Sequence, residues 1–182
     1  MDPYRRVAKR EVYRNPWLVV EVHDVVHPTG AAGEHVLIVS PAASGVLVVD
    51  GNDVILAQQP RFGARETVLE IVKGGADPGE GALECARREL REELGYDADT
   101  WTPLGYTYEI PSIMDHPVAL FLASGLHDVA TDPEDVETIE RRRMPFEEAY
   151  AAAIDGRIND AVTIAALLRA RSKGVPARSV PH

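Results

Sequence analysis

Apolar and polar positions change period along the chain. Valines crowd Val19 to Val26 in the manner of a strand, Pro28-Thr29-Gly30 interrupts it, and extended character resumes from Val36 to Val39. Val46 to Val49 and Val54 to Gln58 flank Asp50-Gly51-Asn52-Asp53, a composition that marks a hairpin. Thr67 to Val72 predicts another short strand running into Lys73-Gly74-Gly75. Between Glu80 and Leu94 the period becomes helical, and Gly95 supplies the stop. Strands return near Thr102 to Ile110, Val118 to Ala123 and Thr138 to Met144. Pro145 opens a helix from Phe146 to about Ile154, at a position where its missing N–H costs nothing. Asp160 or Asn159 caps a last helix through Arg171, which Gly174 stops. Strands and helices mixed in this way, without βαβ alternation, predict an α/β fold layered around a mixed sheet.

The first of these helices carries the candidate chemistry. On a wheel turning about 100° per residue, Ala82, Leu83, Ala86, Leu90 and Leu94 form one apolar stripe facing the core. Glu93 falls inside that stripe, and Glu89 and Glu92 line its edge as i, i+3 and i+4 neighbours. Crowded carboxylates beside an apolar stripe repel one another and resist burial without a partner. Arg88 can pair with Glu84 or Glu92 but points away from Glu93, whereas a hard divalent cation takes carboxylate oxygens directly. The competing reading is a solvated acidic helix face.

Composition narrows the classes. The chain has 182 residues with 19 basic and 29 acidic side chains, a net charge of −10. That balance argues against a nucleic-acid binder, which normally carries a basic face. Cys85 is the single cysteine, so no intrachain disulfide forms, and its place on the apolar side of the helix suits core better than nucleophile. No run of apolar residues approaches a membrane span, and Arg5, Arg6, Lys9 and Arg10 are followed by polar residues rather than a secretory core, so we expect a cytoplasmic protein. The six histidines show no zinc spacing.

Spacing around the helix extends the picture. Gly74, five residues, Glu80, seven residues, then Arg88-Glu89-Leu90-Arg91-Glu92-Glu93-Leu94-Gly95-Tyr96 resembles the Nudix box, with Tyr96 in a place that prefers an aliphatic residue. The resemblance implies a Nudix hydrolase with an α/β/α sandwich, a mixed β-sheet and a loop–helix–loop motif. It implies Glu89, Glu92 and Glu93 as ligands of Mg²⁺ (or Mn²⁺), with the backbone carbonyl of Lys73, and Glu80 with Arg88 as the pair fixing loop to helix. It further implies N-terminal strands over residues 1–42 that form a homodimer, a hydrolase domain over 43–174, and a tail over 175–182.

Flanking residues resemble the ADP-ribose pyrophosphatase branch, and most closely its bacterial ADP-compounds hydrolase subgroup. Pro111 stands fifteen residues past Tyr96, as in that branch; Asn15-Pro16-Trp17, Leu56 to Arg61, Val72-Lys73-Gly74 and Asn159-Asp160-Ala161 add to the likeness. The resemblance implies ADP-ribose, NADH or diadenosine polyphosphates as substrate, cleaved to release AMP. Arg61 would grip the diphosphate, since a planar fork suits two phosphate oxygens. Trp17 would stack on adenine or else lie in the core, and His35 would offer a second ring. No basic residue stands near Ser40, where the branch often has one. Glu70 would reach the metal site or substrate, or face water. The acidic stretch Thr131 to Glu137 resembles the loop that supplies the catalytic base, with Glu137 first and Glu134 second. Two other readings stand beside this one: a sugar-nucleotide or coenzyme diphosphatase, for example on GDP-mannose, and a sensor that binds ADP-ribose without cleaving it.

Overall fold

The computed structural model describes residues 3–129 and 139–175. Two compact units form: one from the residues up to Ala42 with Tyr108–Pro117, the other from Ala43–Thr107 with the described residues from Val118 onward.

The first unit is a four-stranded sheet. Strands β1 (Arg5–Arg14), β2 (Val19–Val26) and β3 (Ala32–Val39) run antiparallel, and the two-residue β9 (Met114–Asp115) adds in parallel to β3. No strand is expected before Val19 from the hydrophobic pattern, yet β1 is ten residues long and pairs with β2 from Arg5↔Val26 to Arg14↔Val19. All ten residues are exposed, so no apolar alternation betrays it. Its pairing rests on the backbone ladder and on cross-strand charges such as Lys9 with Glu21.

The second unit holds the core. Its sheet runs β11-β5-β4-β10-β8, built from β4 (Ala43–Asp50), β5 (Asp53–Arg61), β8 (Tyr96–Tyr108), β10 (Pro117–Asp128) and β11 (Glu140–Pro145). β4 and β10 are parallel, while β5 is antiparallel to both β4 and β11, so the sheet is mixed. Helix α1 (Ala82–Leu94) covers one face, where Ala86, Leu90 and Leu94 pack with Val46, Val48, Ile55 and Val72. Helices α2 (Phe146–Asp155) and α3 (Ala161–Ser172) cover the other, where Phe146, Ile158 and Leu167 meet Leu47, Val49 and Leu56. The strict alternation of β4, even positions to α1 and odd positions to α2 and α3, makes the three layers. This is the expected α/β/α sandwich.

Two local departures follow from packing. The expected strand Thr67–Val72 is two strands, β6 (Glu66–Glu70) on β5 and β7 (Val72–Gly75) on β4. The break falls at Ile71, fully buried, whose N–H donates to the Thr163 hydroxyl at 2.9 Å instead of to a strand. The buried face of α1 is also rotated from the expected stripe: Ala82 and Leu83 are exposed, and Cys85, Ala86, Glu89, Leu90 and Leu94 are buried. Glu89, rather than Glu93, is the glutamate the core face accepts. Gly95 ends the helix at φ 61°, a left-handed conformation that a β-carbon would strain.

Candidate active site

The loop before α1 is bound to the helix by its own acids. Asp77 N–H donates to Glu80 at 2.9 Å and Gly81 N–H to Glu84 at 3.0 Å, satisfying amides that the helix start leaves open. Arg88 then reaches back: its Nε and Nη2 each donate to Glu80 at 3.0 Å, and Nη2 donates to the Gly75 carbonyl at 2.8 Å. The hydrogen bond from Arg88 holds the Glu80 carboxyl below the usual glutamate range. The pair fixes loop to helix as the motif implies.

The same guanidinium organises the other acids. Its Nη1 donates to Glu89 Oε1 at 2.7 Å and to Glu92 Oε2 at 2.9 Å, so two carboxylates converge on one cationic group. Glu89 is buried and lies flat on the backbone of β7: a β-carbon on Gly74 would stand 2.1 Å from its carboxyl carbon. Only glycine permits that approach. Glu93, one turn on from Glu89, is half-buried, with its Oε2 inside the protein. Cys85 is fully buried under the same loop, and burial pushes its thiol up, which suits packing rather than nucleophilic attack.

Among the described residues no three acidic, imidazole or thiol side chains stand ready as a metal cage. The donor chemistry nonetheless fits a hard divalent ion. The convergent side chains are carboxylates, and Glu89 and Glu92 already hold a cationic group between them, the Arg88 guanidinium.

A second charged group lies on the β5–β6–β7 edge. Glu70, 1% exposed, accepts from Arg61 Nε at 2.6 Å and faces Lys73 Nζ at 3.1 Å. Lys73 donates onward to Asp160 Oδ1 at 2.6 Å, and Asp160 Oδ2 caps α3 through Thr163 N–H at 2.8 Å. Burial alone would lower the Lys73 pKa, but the Asp160 and Glu70 carboxylates more than reverse it. Burial likewise pushes Asp160 up, and Lys73 outweighs it, leaving the carboxyl below its ordinary value. Glu70 therefore does not face water. Lys73 enters the sequence reading for its carbonyl alone; its side-chain pairing across 87 positions has no local signal.

In the first unit, Trp17 is 73% exposed on a turn whose Asn15 side chain accepts from the Trp17 and Leu18 amides, so the core alternative does not hold for it. Pro111 and Ser112 join Tyr4, Arg6, His23 and His35 around a pocket of about 350 Å³ within that unit. His35 stands edge-on to Tyr4 with ring centroids 5.1 Å apart. Glu134 and Glu137, the expected bases, lie outside the described residues.

A mixed sheet between helices, with a glycine-ended loop tied to an acid-lined helix through one arginine, defines the Nudix hydrolase class. The chain belongs to that family: the NUDIX domain family matches residues 39–167, and a family described as the nucleoside diphosphate sugar hydrolase N-terminal domain matches residues 4–36. An ADP-ribose pyrophosphatase of Bacillus subtilis is 29% identical over 161 residues, 88% of this chain and 82% of that protein. The ADP compounds hydrolase NudE of Escherichia coli is 29% identical over 126 residues, 69% of this chain and 67% of that one. A crystal structure of an ADP compounds hydrolase superposes with a TM-score of 0.84 at 24% identity, covering 94% of each chain, which shows the shared fold. No helix among the described residues is long and apolar enough to cross a membrane.

Proposed function

We propose that this Nudix hydrolase cleaves the diphosphate bond of ADP-ribose or a related ADP-X compound, such as NADH or a diadenosine polyphosphate, and releases AMP. The observation that carries the reading is the convergence of Glu89 and Glu92 on one cationic group beside the Gly74 backbone, within a chain similar to ADP-ribose pyrophosphatases. Glu89, Glu92 and Glu93, with the Lys73 carbonyl, would hold Mg²⁺ or Mn²⁺. Held there, the ion would supply charge neutralisation for the diphosphate and a lowered pKa for a bound water, and it would reconcile a protein of charge −10 with a polyanionic substrate.

The chain's own groups do the rest. Arg61 presents its planar fork to the diphosphate oxygens. Glu137, with Glu134 as the second candidate, accepts the proton of the attacking water as its oxygen bonds to one phosphorus. The bridging P–O bond breaks, and its electron pair leaves on the other phosphate. Trp17, exposed as a stacking surface must be, offers its ring to the adenine, and Pro111 and His35 line a pocket within the same unit. The protein works in the cytoplasm as a homodimer joined through its N-terminal strands, with no nucleic-acid or membrane partner.

The match of residues 4–36 to a nucleoside diphosphate sugar hydrolase domain favours one second reading, a sugar-nucleotide diphosphatase, for example on GDP-mannose. A hydrolysis screen with Mg²⁺ or Mn²⁺ over ADP-ribose, NADH, diadenosine compounds and GDP-mannose, with products identified, separates the two. Metal-dependent AMP release from an adenine compound is expected. Cleavage of GDP-mannose alone would transfer the assignment to the second reading. Tight ADP-ribose binding without product would make the protein a sensor.

A further inference from the structure

The four charges Arg61, Glu70, Lys73 and Asp160 alternate in sign along one continuous chain of contacts at 2.6, 3.1 and 2.6 Å. Three of the side chains are 1%, 16% and 12% exposed, whereas Arg61, at the end, is 35% exposed. The inner end is closed into a ring. Thr163 Oγ1 donates to Asp160 Oδ2 at 2.6 Å and accepts from the Ile71 amide at 2.9 Å, and Ile71 lies between Glu70 and Lys73. A parallel tie runs from Asn159 Nδ2 to Glu66 Oε1 at 2.7 Å, joining the same helix start to the strand that ends in Glu70.

Stability is a weak reason for such an arrangement. Replacing buried ion pairs by apolar residues of similar volume is often neutral or stabilising, because desolvation offsets the Coulombic gain. What apolar residues would not do is hold a guanidinium. Glu70 contacts Arg61 through Nε, the donor nearest the backbone, and a carboxylate fixed by Lys73 has little freedom to follow a swinging arginine. A long side chain loses much rotamer freedom when it grips a ligand, and fixing it beforehand removes that cost from binding.

We propose that Glu70 is a positioning residue for Arg61, and that the buried chain from Glu70 through Lys73 to Asp160 at the start of α3 holds the Arg61 guanidinium ready for the diphosphate of a nucleoside diphosphate substrate. The inference rests on the reading of Arg61 under the proposed function. Glu70 then acts on substrate through Arg61 and touches neither substrate nor metal.

The test is a double-mutant cycle on binding, with Tm recorded for every variant. Titration calorimetry is run in Mg²⁺ with the non-hydrolysable methylene-bridged analogues of ADP-ribose and, beside it, GDP-mannose, so that the metal is present and nothing turns over. Arg61→Ala is expected to weaken binding by about 10- to 100-fold, the range for a charge-assisted hydrogen bond. Glu70→Gln, which keeps shape and an acceptor but loses charge, should weaken it by about threefold to tenfold; Lys73→Met should do the same without touching the Lys73 carbonyl. In the Arg61→Ala background both should add less than about twofold, the signature of a residue acting through another. Equal losses from Glu70→Gln with and without Arg61, or no loss at all in a folded Glu70→Gln protein, would overturn the positioning role while leaving Arg61 as the diphosphate contact. No loss from Arg61→Ala, or no binding of either compound by the unmodified protein, would overturn the substrate reading and the proposal with it.

Discussion

Two charged clusters stand on the second unit, and they are built on opposite principles. The α1 cluster gathers Glu80, Glu89 and Glu92 around the single guanidinium of Arg88, with side chains from 11% to 39% exposed. Acids outnumber bases there, and the one cationic partner is a solvent-reachable side chain 27% exposed. The chain from Arg61 to Asp160 instead matches its charges one for one and buries all but its end. An excess of negative charge gathered on one arginine is a cluster that can take up a cation. A neutral, buried chain pinned to a helix cap is a scaffold. The difference separates residues whose loss should abolish chemistry from a chain whose buried inner end, Lys73 and Asp160, should cost stability when broken while its outer end, Glu70 and Arg61, serves binding.

The largest expected effect lies on the acidic side of that divide. Glu93→Gln should lower kcat on the substrate found in the screen by about two to three orders of magnitude, the scale of several kcal/mol of metal-assisted stabilisation. KM should barely change, and Tm should stay within a few degrees, since the substitution relieves repulsion among neighbouring carboxylates. Near-normal turnover would break the comparison at its first term. The second effect belongs to the scaffold. Asp160→Ala removes both the α3 cap and the partner of a Lys73 side chain that is only 16% exposed. A lost cap costs about 1 kcal/mol and a broken buried pair up to about 3–5, so urea unfolding should report a loss of about 2–4 kcal/mol at unchanged m-value. A loss under about 1 kcal/mol would mean that the buried chain carries no weight in the fold.

The two clusters were not equally legible in the sequence. The α1 cluster sits in the short stretch from Gly74 to Tyr96, so spacing alone brings Glu80, Arg88 and the three glutamates together. Which glutamate the core accepts was not legible: the wheel favours Glu93, whereas the flat contact with Gly74 selects Glu89. Glu70, Lys73 and Asp160 each stand out locally, as a strand acid, a pre-loop base and a helix cap. The link from Lys73 to Asp160 spans 87 positions and exists only because α3 packs across the strand break at Ile71. In the first unit β2 and β3 announce themselves by valine content, while β1, exposed at every position, carries no hydrophobic period to read. The α/β/α layering was legible from the mix of strands and helices and from the motif's resemblance, not from β4, a run buried from Ala43 to Val49 whose alternate residues meet two helical covers.

The smallest expected effect sharpens the comparison with an ion pair that belongs to neither cluster. Arg91, in the last turn of α1, donates through Nε to Asp97 Oδ2 at 3.1 Å and through Nη2 to the same oxygen, while Asp97 Oδ1 accepts from Ala98 N–H at 2.7 Å. The Asp97 side chain is 15% exposed and that of Arg91 49%. Burial by itself would raise the Asp97 pKa, but the Arg91 and Ala98 hydrogen bonds outweigh it and leave the carboxyl below its ordinary value. A depressed native pKa means that the unfolded chain takes up the proton first. Its stabilising contribution is therefore complete above the ordinary aspartate value near about 3.9 and is lost as pH falls through the depressed one. With Arg91 half in solvent and open to screening by salt, that contribution should stay below about 1 kcal/mol. The stability gap between the unmodified protein and Asp97→Asn, measured by urea unfolding at pH 7, 5 and 3, should be constant between the first two and shrink at the third. A gap that persists undiminished at pH 3 would show that Asp97 stabilises the helix-to-strand junction through its hydrogen-bond geometry rather than through its charge.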